Sequence, residues 1–554
     1  MGVIYIINIK FVVTLMKMHL VDNRSNIKKQ QYYNLLRAIT IHMNEILSVT
    51  ENQYREQVVQ FDPIQILELC NRMSVNLLKE RKTIIDGSWP VRIGNFVQQK
   101  TFHITHHKIA LLAMITLQNY KYSHGKTPSN KDFIALVNNV SAIHNRIDDK
   151  KPKDTKEWLY STMVRLAYQQ FPLQEGDTNV LPRHLLLYLY SEVQSSSLKL
   201  DNEAYENFGL HIQEYLTIGL AFYAVSLQHS VFSRSFIEKT TVESMKKYLT
   251  PEKVDKFLAK TSADFYTFRN MCMEEIKNYP DGGTYRFNPL FDRPIIIRKD
   301  GKFCIPIPML VPHTITKGLY YDFLDLFSGE TGNPFAEWFG HAFEHYGGLL
   351  LKHAFGKRNV FPEPVYGKEQ KRGPDWTVIQ ENSAIVFEFR SGRLNKKAKI
   401  YGDYTDIAAL IKRNIIEPLI KFHEKIEDLK SGLTNIPSDS NMEFFPCIVT
   451  YEPLYSNELF RDIIQQELKH EGIPEFDYEL MSIEDLEWLI SWAIYENPVD
   501  FLKTKKSKPE WKAMDVRKLV GIKIKEKGIK DIKNHLLDKV FNKFWKQTIP
   551  ELSR

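Results

Sequence analysis

The sequence predicts an α+β protein in which a large all-α domain precedes an α/β domain with a small mixed sheet. From about Ser25 to about Tyr279, apolar residues recur at the three-to-four spacing of amphipathic helices. Beyond about residue 280, short β-branched runs bounded by turn residues alternate with helical stretches. The chain has 554 residues, more than one hydrophobic core usually supports. We therefore expect several domains.

The composition indicates a globular protein in a reducing compartment. Hydrophobic content of 43% and charged content of 25% exclude disordered and fibrous classes. The four cysteines are scattered and form no CxxC motif, which indicates neither a disulfide framework nor a structural zinc site and favours the cytoplasm.

The N-terminal segment begins with an apolar run. Asn8, Lys10 and Lys17 interrupt this run before it could span a membrane, so we expect no membrane partner. Segment 1–24 is either an N-terminal extension or a strand. The sequence leaves open whether residues 1–15 belong to the native protein.

Residues 25–280 form the predicted all-α domain, to which we assign a sensor, assembly or specificity role. It is also where a partner protein or a second copy would bind. Thr250 before a proline and a glutamate is a typical helix start. His103, His106 and His107 are spaced to share one helix face, but no carboxylate or cysteine nearby completes a zinc ligand set. We expect ordinary solvent-facing or hydrogen-bonded histidines.

Residues 281–500 form the predicted α/β domain. A Lys-Asp-Gly turn at 299–301 joins two β-branched runs and predicts a hairpin. A helical stretch carrying Glu344 follows a Gly-Asn-Pro break. The most informative stretch comes next, at 373–393, with the sequence GPDWTVIQENSAIVFEFRSGR.

This stretch predicts a second hairpin with an acid at each far end. Residues 376–379 and 384–389 read as strands, with turn chemistry around Asn382. Asp375 precedes the first strand and Glu388 lies one residue before the end of the second, so the fold of the hairpin brings their carboxylates together. Paired carboxylates at the end of a sheet are a typical site for a hard divalent cation.

Each of these acids also has an ordinary interpretation. Asp375 is a common turn residue, and Glu344 alone is a common surface residue of a helix. Glu388 interrupts an apolar run, where an ionised carboxylate costs several kcal/mol unless it meets a cation. That cation is either a metal ion or an ion-pair partner such as Arg390 or Arg393.

The remaining elements complete an α/β layer. A long amphipathic helix begins near residue 404 and is interrupted or kinked at Pro418, and a buried strand follows at 443–452. Ser482 and Asp485 form a capping box that opens another helix. The order helix, strand, strand, helix, strand, helix predicts helices packed round a small mixed sheet.

Segment 501–554 is a basic, helical C-terminal segment. From Asp500 to Arg554 it holds sixteen Lys and Arg against seven Asp and Glu, while the whole chain has a formal charge of +7. Interleaved aromatic residues suit either base stacking or packing. We leave open whether this charge binds nucleic acid or forms a solvated face.

The ordered motifs resemble those of the PD-(D/E)XK nuclease superfamily, the restriction-endonuclease-like fold of many prokaryotic defence nucleases. Glu344 lies on the helix, Pro374-Asp375 supplies the second motif, and Glu388-Phe389-Arg390 supplies the third. The resemblance covers roughly residues 293–493. It implies Mg²⁺ or Mn²⁺ at Asp375 and Glu388, with Glu344 as a third acidic ligand. It also implies antiviral defence and phosphodiester hydrolysis of DNA, with RNA left open.

One position departs from the family pattern. Arg390 stands where the family has a lysine that is thought to activate the attacking water and to neutralise developing charge. Arginine can do the second task but cannot release a proton near neutral pH. Three alternatives stay open. In the first, Arg390 stabilises charge while the cation activates the water. In the second, Lys396, Lys397 or Lys412 reaches back from the following turn and helix. In the third, catalysis is lost and an inactive nuclease-fold subunit binds nucleic acid or a partner. The candidate contacts to nucleic acid are Arg393, Lys396, Lys397, Lys412, Lys505 and Lys506.

Overall fold

A computed structural model describes most of the chain beyond residue 48. The described ranges are 49–80, 84–93, 96–120, 125–143, 155–173, 179–191, 198–329, 332–454, 457–473, 477–530 and 532–553. The predicted extension or strand at 1–24 lies outside them.

Helices and strands alternate irregularly along the chain, which confirms the α+β class. The helices are α1 (Glu51–Val58), α2 (Pro63–Lys79), α3 (His106–Gln118), α4 (Asn130–Asn139), α5 (Thr155–Gln170), α6 (Val180–His184), α7 (Leu200–Phe208), α8 (Ile212–Ser226), α9 (Ser235–Glu238), α10 (Pro251–Thr261), α11 (Phe265–Asn278), α12 (Leu310–His313), α13 (Leu319–Leu326), α14 (Pro334–Phe355), α15 (Tyr404–Ile411), α16 (Glu417–Lys430), α17 (Asn457–His470), α18 (Ile483–Trp492), α19 (Pro498–Ser507), α20 (Pro509–Lys512), α21 (Val516–Glu526) and α22 (His535–Thr548). The strands are β1 (Ile85–Ile93), β2 (Phe96–Ile104), β3 (Val231–Phe232), β4 (Ser262–Asp264), β5 (Ile295–Ile297), β6 (Phe303–Cys304), β7 (Val360–Pro362), β8 (Val365–Tyr366), β9 (Lys371–Arg372), β10 (Trp376–Gln380), β11 (Ser383–Arg390), β12 (Glu443–Thr450) and β13 (Glu479–Ser482). None of the described helices is long and apolar enough to cross a membrane.

The chain divides into two compact units. The first takes the described residues within Met1–Leu159, Gln169–Gly176 and Glu214–Gly318. The second takes those within Tyr160–Tyr168, Asp177–Gln213 and Leu319–Arg554. The segment 281–318, predicted to open the α/β domain, therefore belongs to the first unit.

Residues 25–280 contain the strands β1 to β4, so the prediction that this range is all-α is wrong. Strands β1 and β2 form an antiparallel hairpin, and β3 and β4 join a four-stranded sheet in the order β3-β6-β5-β4. Strands β3 and β4 have only two or three residues and leave no periodic signal, because their pairing depends on partners distant in sequence. The nine-residue strands β1 and β2 are not predicted either, since β1 contains Gly87 and Pro90, two residue types that are depleted in strands. The predicted hairpin at the Lys-Asp-Gly turn is confirmed as β5 and β6, and Gly301 adopts the left-handed φ of 73° that the turn requires.

The three histidines do not share a helix face. His103 lies in β2, whereas His106 is the first residue of α3. Nε2 of His106 lies 3.2 Å from the carbonyl oxygen of Ser74. Burial lowers the pKa of His106 to about 4. The ring is therefore a neutral, hydrogen-bonded component of the core, as expected for an ordinary histidine.

The second unit contains a five-stranded mixed sheet in the order β13-β12-β11-β10-β7. Strand β11 pairs antiparallel with β10 and parallel with β12, and β12 pairs parallel with β13. The β10–β11 hairpin confirms the predicted one to within one residue at each strand end. Its two-residue loop puts Glu381 at a φ of 49°. All residues of β11 except Arg390 are buried, since helices cover this central strand.

Helix α14 approaches the sheet closely because two of its residues are glycines. A Cβ atom on Gly347 would lie 2.2 Å from the ring of Phe389, and one on Gly348 would lie 2.1 Å from the ring of Trp376. The indole Nε1 of Trp376 donates a hydrogen bond of 3.0 Å to the carbonyl oxygen of Glu344. These contacts hold the Glu344 turn of α14 against the start of β10.

The long helix beyond β11 is divided as the sequence suggests. A π-type turn at Lys412–Ile416 separates α15 from α16, and Pro418 lies in the first turn of α16. The capping box of Ser482 and Asp485 opens α18, and Thr250 caps α10, both as predicted. Local capping chemistry therefore determined these helix starts.

Gly347→Ala should lower the thermal stability of the protein. The added methyl group must displace the Phe389 ring or α14 itself, and such overpacking typically costs about 1–3 kcal/mol. The measurement is the midpoint of thermal unfolding by circular dichroism. Gly340→Ala is the matched control on the same helix, because its Cβ would meet Ser391 Oγ at an ordinary 3.6 Å. The helix propensity of alanine should leave that variant equal to or more stable than the wild type. Equal losses in both variants would contradict the packing argument.

Candidate active site

The β10–β11 hairpin places Asp375 beside Glu388. Trp376 pairs with Phe387, so Asp375 lies where the chain enters β10, opposite the end of β11. Oδ2 of Asp375 accepts a hydrogen bond of 2.7 Å from the backbone N–H of Phe389. The carboxyl group is thereby tied to the strand that carries Glu388, as the sequence predicted.

Glu388 is a buried carboxylate held between two cations. Its residue exposure is 1%, and Oε2 accepts from Nη2 of Arg390 at 2.6 Å. The other oxygen, Oε1, accepts from the ammonium group of Lys425 on α16. Residues two apart on a strand point to the same face, which explains the Arg390 contact. The ion pair with Arg390 that we had left open is present.

Sequence reasoning missed Lys425. The predicted alternatives to Arg390 were Lys396, Lys397 and Lys412, whereas the lysine that reaches Glu388 lies farther along the next long helix. Its side chain is 15% exposed, so it borders both the core and the solvent. The only signal in the sequence is a lysine in the amphipathic pattern of α16, which many surface helices share.

Burial and crowding of negative charge raise the pKa of Asp375 to about 8. Burial contributes most, and the carboxylates of Glu388 and Glu344 add to it. The N–H of Phe389 and the charge of Arg390 act in the opposite direction. A carboxyl group in this state becomes a good ligand once a cation offsets the repulsion.

Glu344 lies near this pair but does not complete a compact set of three. Burial raises its pKa, as do the neighbouring carboxylates of Glu363 and Glu388. Among the described residues, no group of three His, Cys, Asp or Glu side chains lies close enough to hold a metal ion. The structure therefore brings together Asp375 and Glu388, with Glu344 as an electrostatic neighbour.

Arg393 does not pair with Glu388. Its guanidinium carbon stacks 3.4 Å from the ring centroid of Tyr320 and 4.0 Å from that of Tyr451. The side-chain nitrogens of Arg393 are buried. A guanidinium held between aromatic rings gains cation–π stabilisation. This placement makes Arg393 part of the packing behind the site and removes it from the exposed contacts that we had predicted.

The other predicted contacts to nucleic acid differ in exposure. Lys396, Lys397 and Lys412 are exposed. Lys505 is buried, with 1% side-chain exposure, and its ammonium group donates to both oxygens of Glu479 at 2.9 and 2.8 Å. Lys506 lies 3.5 Å from Asp477. A buried ion pair is a structural feature, so Lys505 is not placed to contact a polyanion.

Comparison with known proteins adds nothing to this geometry. No protein-family model matches the chain, and no curated protein matches it either. Functional inference therefore depends on the residues themselves.

Asp375→Asn should flatten the dependence of stability on pH. Below about pH 4 the carboxyl group is protonated in both the folded and the unfolded protein. As the pH rises to about 8, the unfolded chain loses this proton while the folded protein retains it, so the wild type loses stability. The asparagine variant lacks this loss, and its unfolding midpoint should exceed that of the wild type increasingly as the pH rises.

The measurement is thermal unfolding of metal-free protein from pH 4 to pH 9. Glu381→Gln, which removes one acid from the exposed turn of the same hairpin, should follow the wild-type curve. Parallel curves for the wild type and Asp375→Asn would show that the environment of Asp375 does not oppose its ionisation.

Proposed function

We propose that this protein is a metal-dependent nuclease that hydrolyses phosphodiester bonds of DNA, with prokaryotic antiviral defence as its setting. The observation that carries the proposal is the pair of carboxylates, Asp375 and Glu388, with the cations Arg390 and Lys425 bound to one of them. In the same proposal residues 25–280 act as a sensor, assembly or specificity module.

The carboxylate pair suits a small divalent cation. Burial and neighbouring carboxylates oppose the ionisation of Asp375, and a bound cation would relieve that repulsion. A carboxylate has about four acceptor positions, so Glu388 can coordinate an ion while it keeps Arg390 and Lys425. Mg²⁺ usually retains several waters and needs only one or two protein carboxylates. Asp375 and Glu388 would hold the ion, with Glu344 acting through water.

A bound Mg²⁺ or Mn²⁺ would polarise the scissile phosphate and lower the pKa of the attacking water. The protein's own cations have separate tasks. Lys425 supplies the ammonium group that the nuclease resemblance requires, from α16 and not from β11. Arg390 supplies a guanidinium that offsets the negative charge growing on the phosphate. In this proposal Arg390 replaces the family's lysine on β11, and Lys425 on α16 provides the lysine instead.

A catalytically inactive nuclease fold is the second candidate. The supporting observation is that both oxygens of Glu388 already have cationic partners within the protein. A structural ion pair of this kind needs no metal, and the protein would then bind nucleic acid or a partner subunit without cleaving it.

Lys425→Met should reduce cleavage of DNA by about 10²-fold or more, since it removes the ammonium group that the proposal puts in the place of the family's lysine, which activates the attacking water. The measurement is the initial rate of plasmid or linear DNA cleavage with Mg²⁺ or Mn²⁺. Lys421→Met is the matched control, one turn earlier on α16 and exposed, and should retain the wild-type rate.

Glu388→Gln should abolish cleavage. Wild-type protein that cleaves no DNA with either cation, or variants that cleave as the wild type does, would overturn the enzymatic proposal.

Mn²⁺ should stabilise the wild type and not the variant Asp375→Asn/Glu388→Gln. A ligand that binds only the folded state adds about 2.7 kcal/mol at a hundred times its Kd. The measurement is the shift in unfolding midpoint on titration with Mn²⁺, with Glu381→Gln as a control that should shift as the wild type does. Equal shifts in the wild type and the double variant would show that the cation binds elsewhere.

A further inference from the structure

A small hairpin projects from the end of the sheet at which the candidate site lies. Strand β7 pairs with β10 up to Pro362 and Trp376, and the chain between them forms the β8–β9 hairpin. The segment 363–375 therefore continues past the end of the sheet, and its return arm runs directly into Asp375. We call residues 363–373 the projecting hairpin.

Two hydrogen bonds anchor the projecting hairpin. The N–H of Gly373 donates to the carbonyl oxygen of Pro364 at 2.9 Å, and a Cβ atom on Gly373 would lie 2.5 Å from the Pro364 ring. The hydroxyl of Tyr366 donates to Asp428 at 2.7 Å. Asp428 lies on α16 one turn beyond Lys425, so the hairpin is attached to the helix that supplies a cation to the site.

The outer part of the projecting hairpin carries exposed positive charge. Lys368, Lys371 and Arg372 are exposed, with Glu369 as the single acid between them. Arg372 is 73% exposed and pairs with Glu363 at 3.2 Å. Among the residues that the structure describes, neither Lys368 nor Lys371 has a carboxylate within ion-pair distance. They differ in this from Lys505, Lys506 and Lys512 of the C-terminal segment, which have acidic partners.

We infer that the projecting hairpin binds the phosphate backbone of double-stranded DNA next to the bond that is cleaved. This inference rests on the proposed function and names the surface that holds its substrate. An extended chain rises about 3.3 Å per residue, so the Cα atoms of Lys371 and Asp375 lie no more than roughly 13 Å apart. That span corresponds to neighbouring phosphates along one strand, which are the groups that lysine contacts in nucleic acids.

The shape of the hairpin favours DNA over an RNA duplex. A two-stranded ribbon fits the major groove of B-form DNA, whereas the major groove of A-form RNA is too narrow for side chains to enter. Val365, which is 54% exposed, gives the ribbon an apolar contact of the kind that thymine methyl groups accept. The Tyr366–Asp428 hydrogen bond would hold the ribbon in register with the site.

The test is binding of a fluorescent DNA duplex, measured by anisotropy over a range of salt concentrations in EDTA, so that no cleavage occurs. Lys368→Gln/Lys371→Gln should bind more weakly and lower the slope of log affinity against log salt by about 2, since each lost phosphate contact removes about one counterion. Lys239→Gln/Lys277→Gln is the matched control, with the same loss of charge at exposed lysines of the first unit. It should bind as the wild type does.

Tyr366→Phe separates positioning from charge. It should weaken binding while the salt slope stays the same, because the lysines remain. Wild-type affinity and slope in Lys368→Gln/Lys371→Gln would overturn the hairpin proposal while the wild type still binds and cleaves DNA. Wild type that neither binds nor cleaves DNA would overturn the proposed function as well. Tighter binding of an RNA duplex of the same sequence would overturn the assignment to DNA.

Discussion

The carboxylate of Glu388 is the constraint on which the second unit depends. An ionised group at 1% exposure costs several kcal/mol unless cations accompany it. Arg390 on the same strand and Lys425 on α16 supply that compensation. The ion pairs therefore join the central strand to the helix that covers it. Removing one partner would leave a buried charge unbalanced, so the acid and its cations are coupled in stability as well as in any chemistry.

Close packing brings the third acid towards this group. Gly347 and Gly348 let α14 approach the aromatic rings of Phe389 and Trp376, and the indole of Trp376 bonds to the backbone of Glu344. Glu344 can lie this close to the sheet because residues 347 and 348 are glycines. Burial, together with the neighbouring carboxylates of Glu388 and Glu344, raises the pKa of Asp375.

The positive charge of the chain is divided between two kinds of role. In the C-terminal segment, Lys505, Lys512 and Lys523 pair with acids of the second unit, so part of that charge stabilises the fold. The projecting hairpin instead presents Lys368 and Lys371 to solvent, on the segment that leads into Asp375. Composition alone cannot distinguish these roles, because both use the same residue type. The exposure of each lysine and the presence of an acidic partner distinguish the two roles.

The sequence by itself determined the β10–β11 hairpin, the pairing of Asp375 with Glu388, the turn at Gly301 and the capped helix starts. These features depend on turn residues and on the spacing of apolar residues over a short stretch of chain, and both can be read from the local sequence. Only the tertiary structure decided that Lys425 reaches Glu388, that Lys505 is buried, and that the strands β1 to β4 lie among the helices of the first unit. Lys425 lies 37 residues from Glu388. Contacts over such separations depend on how whole elements pack, and no local pattern records them.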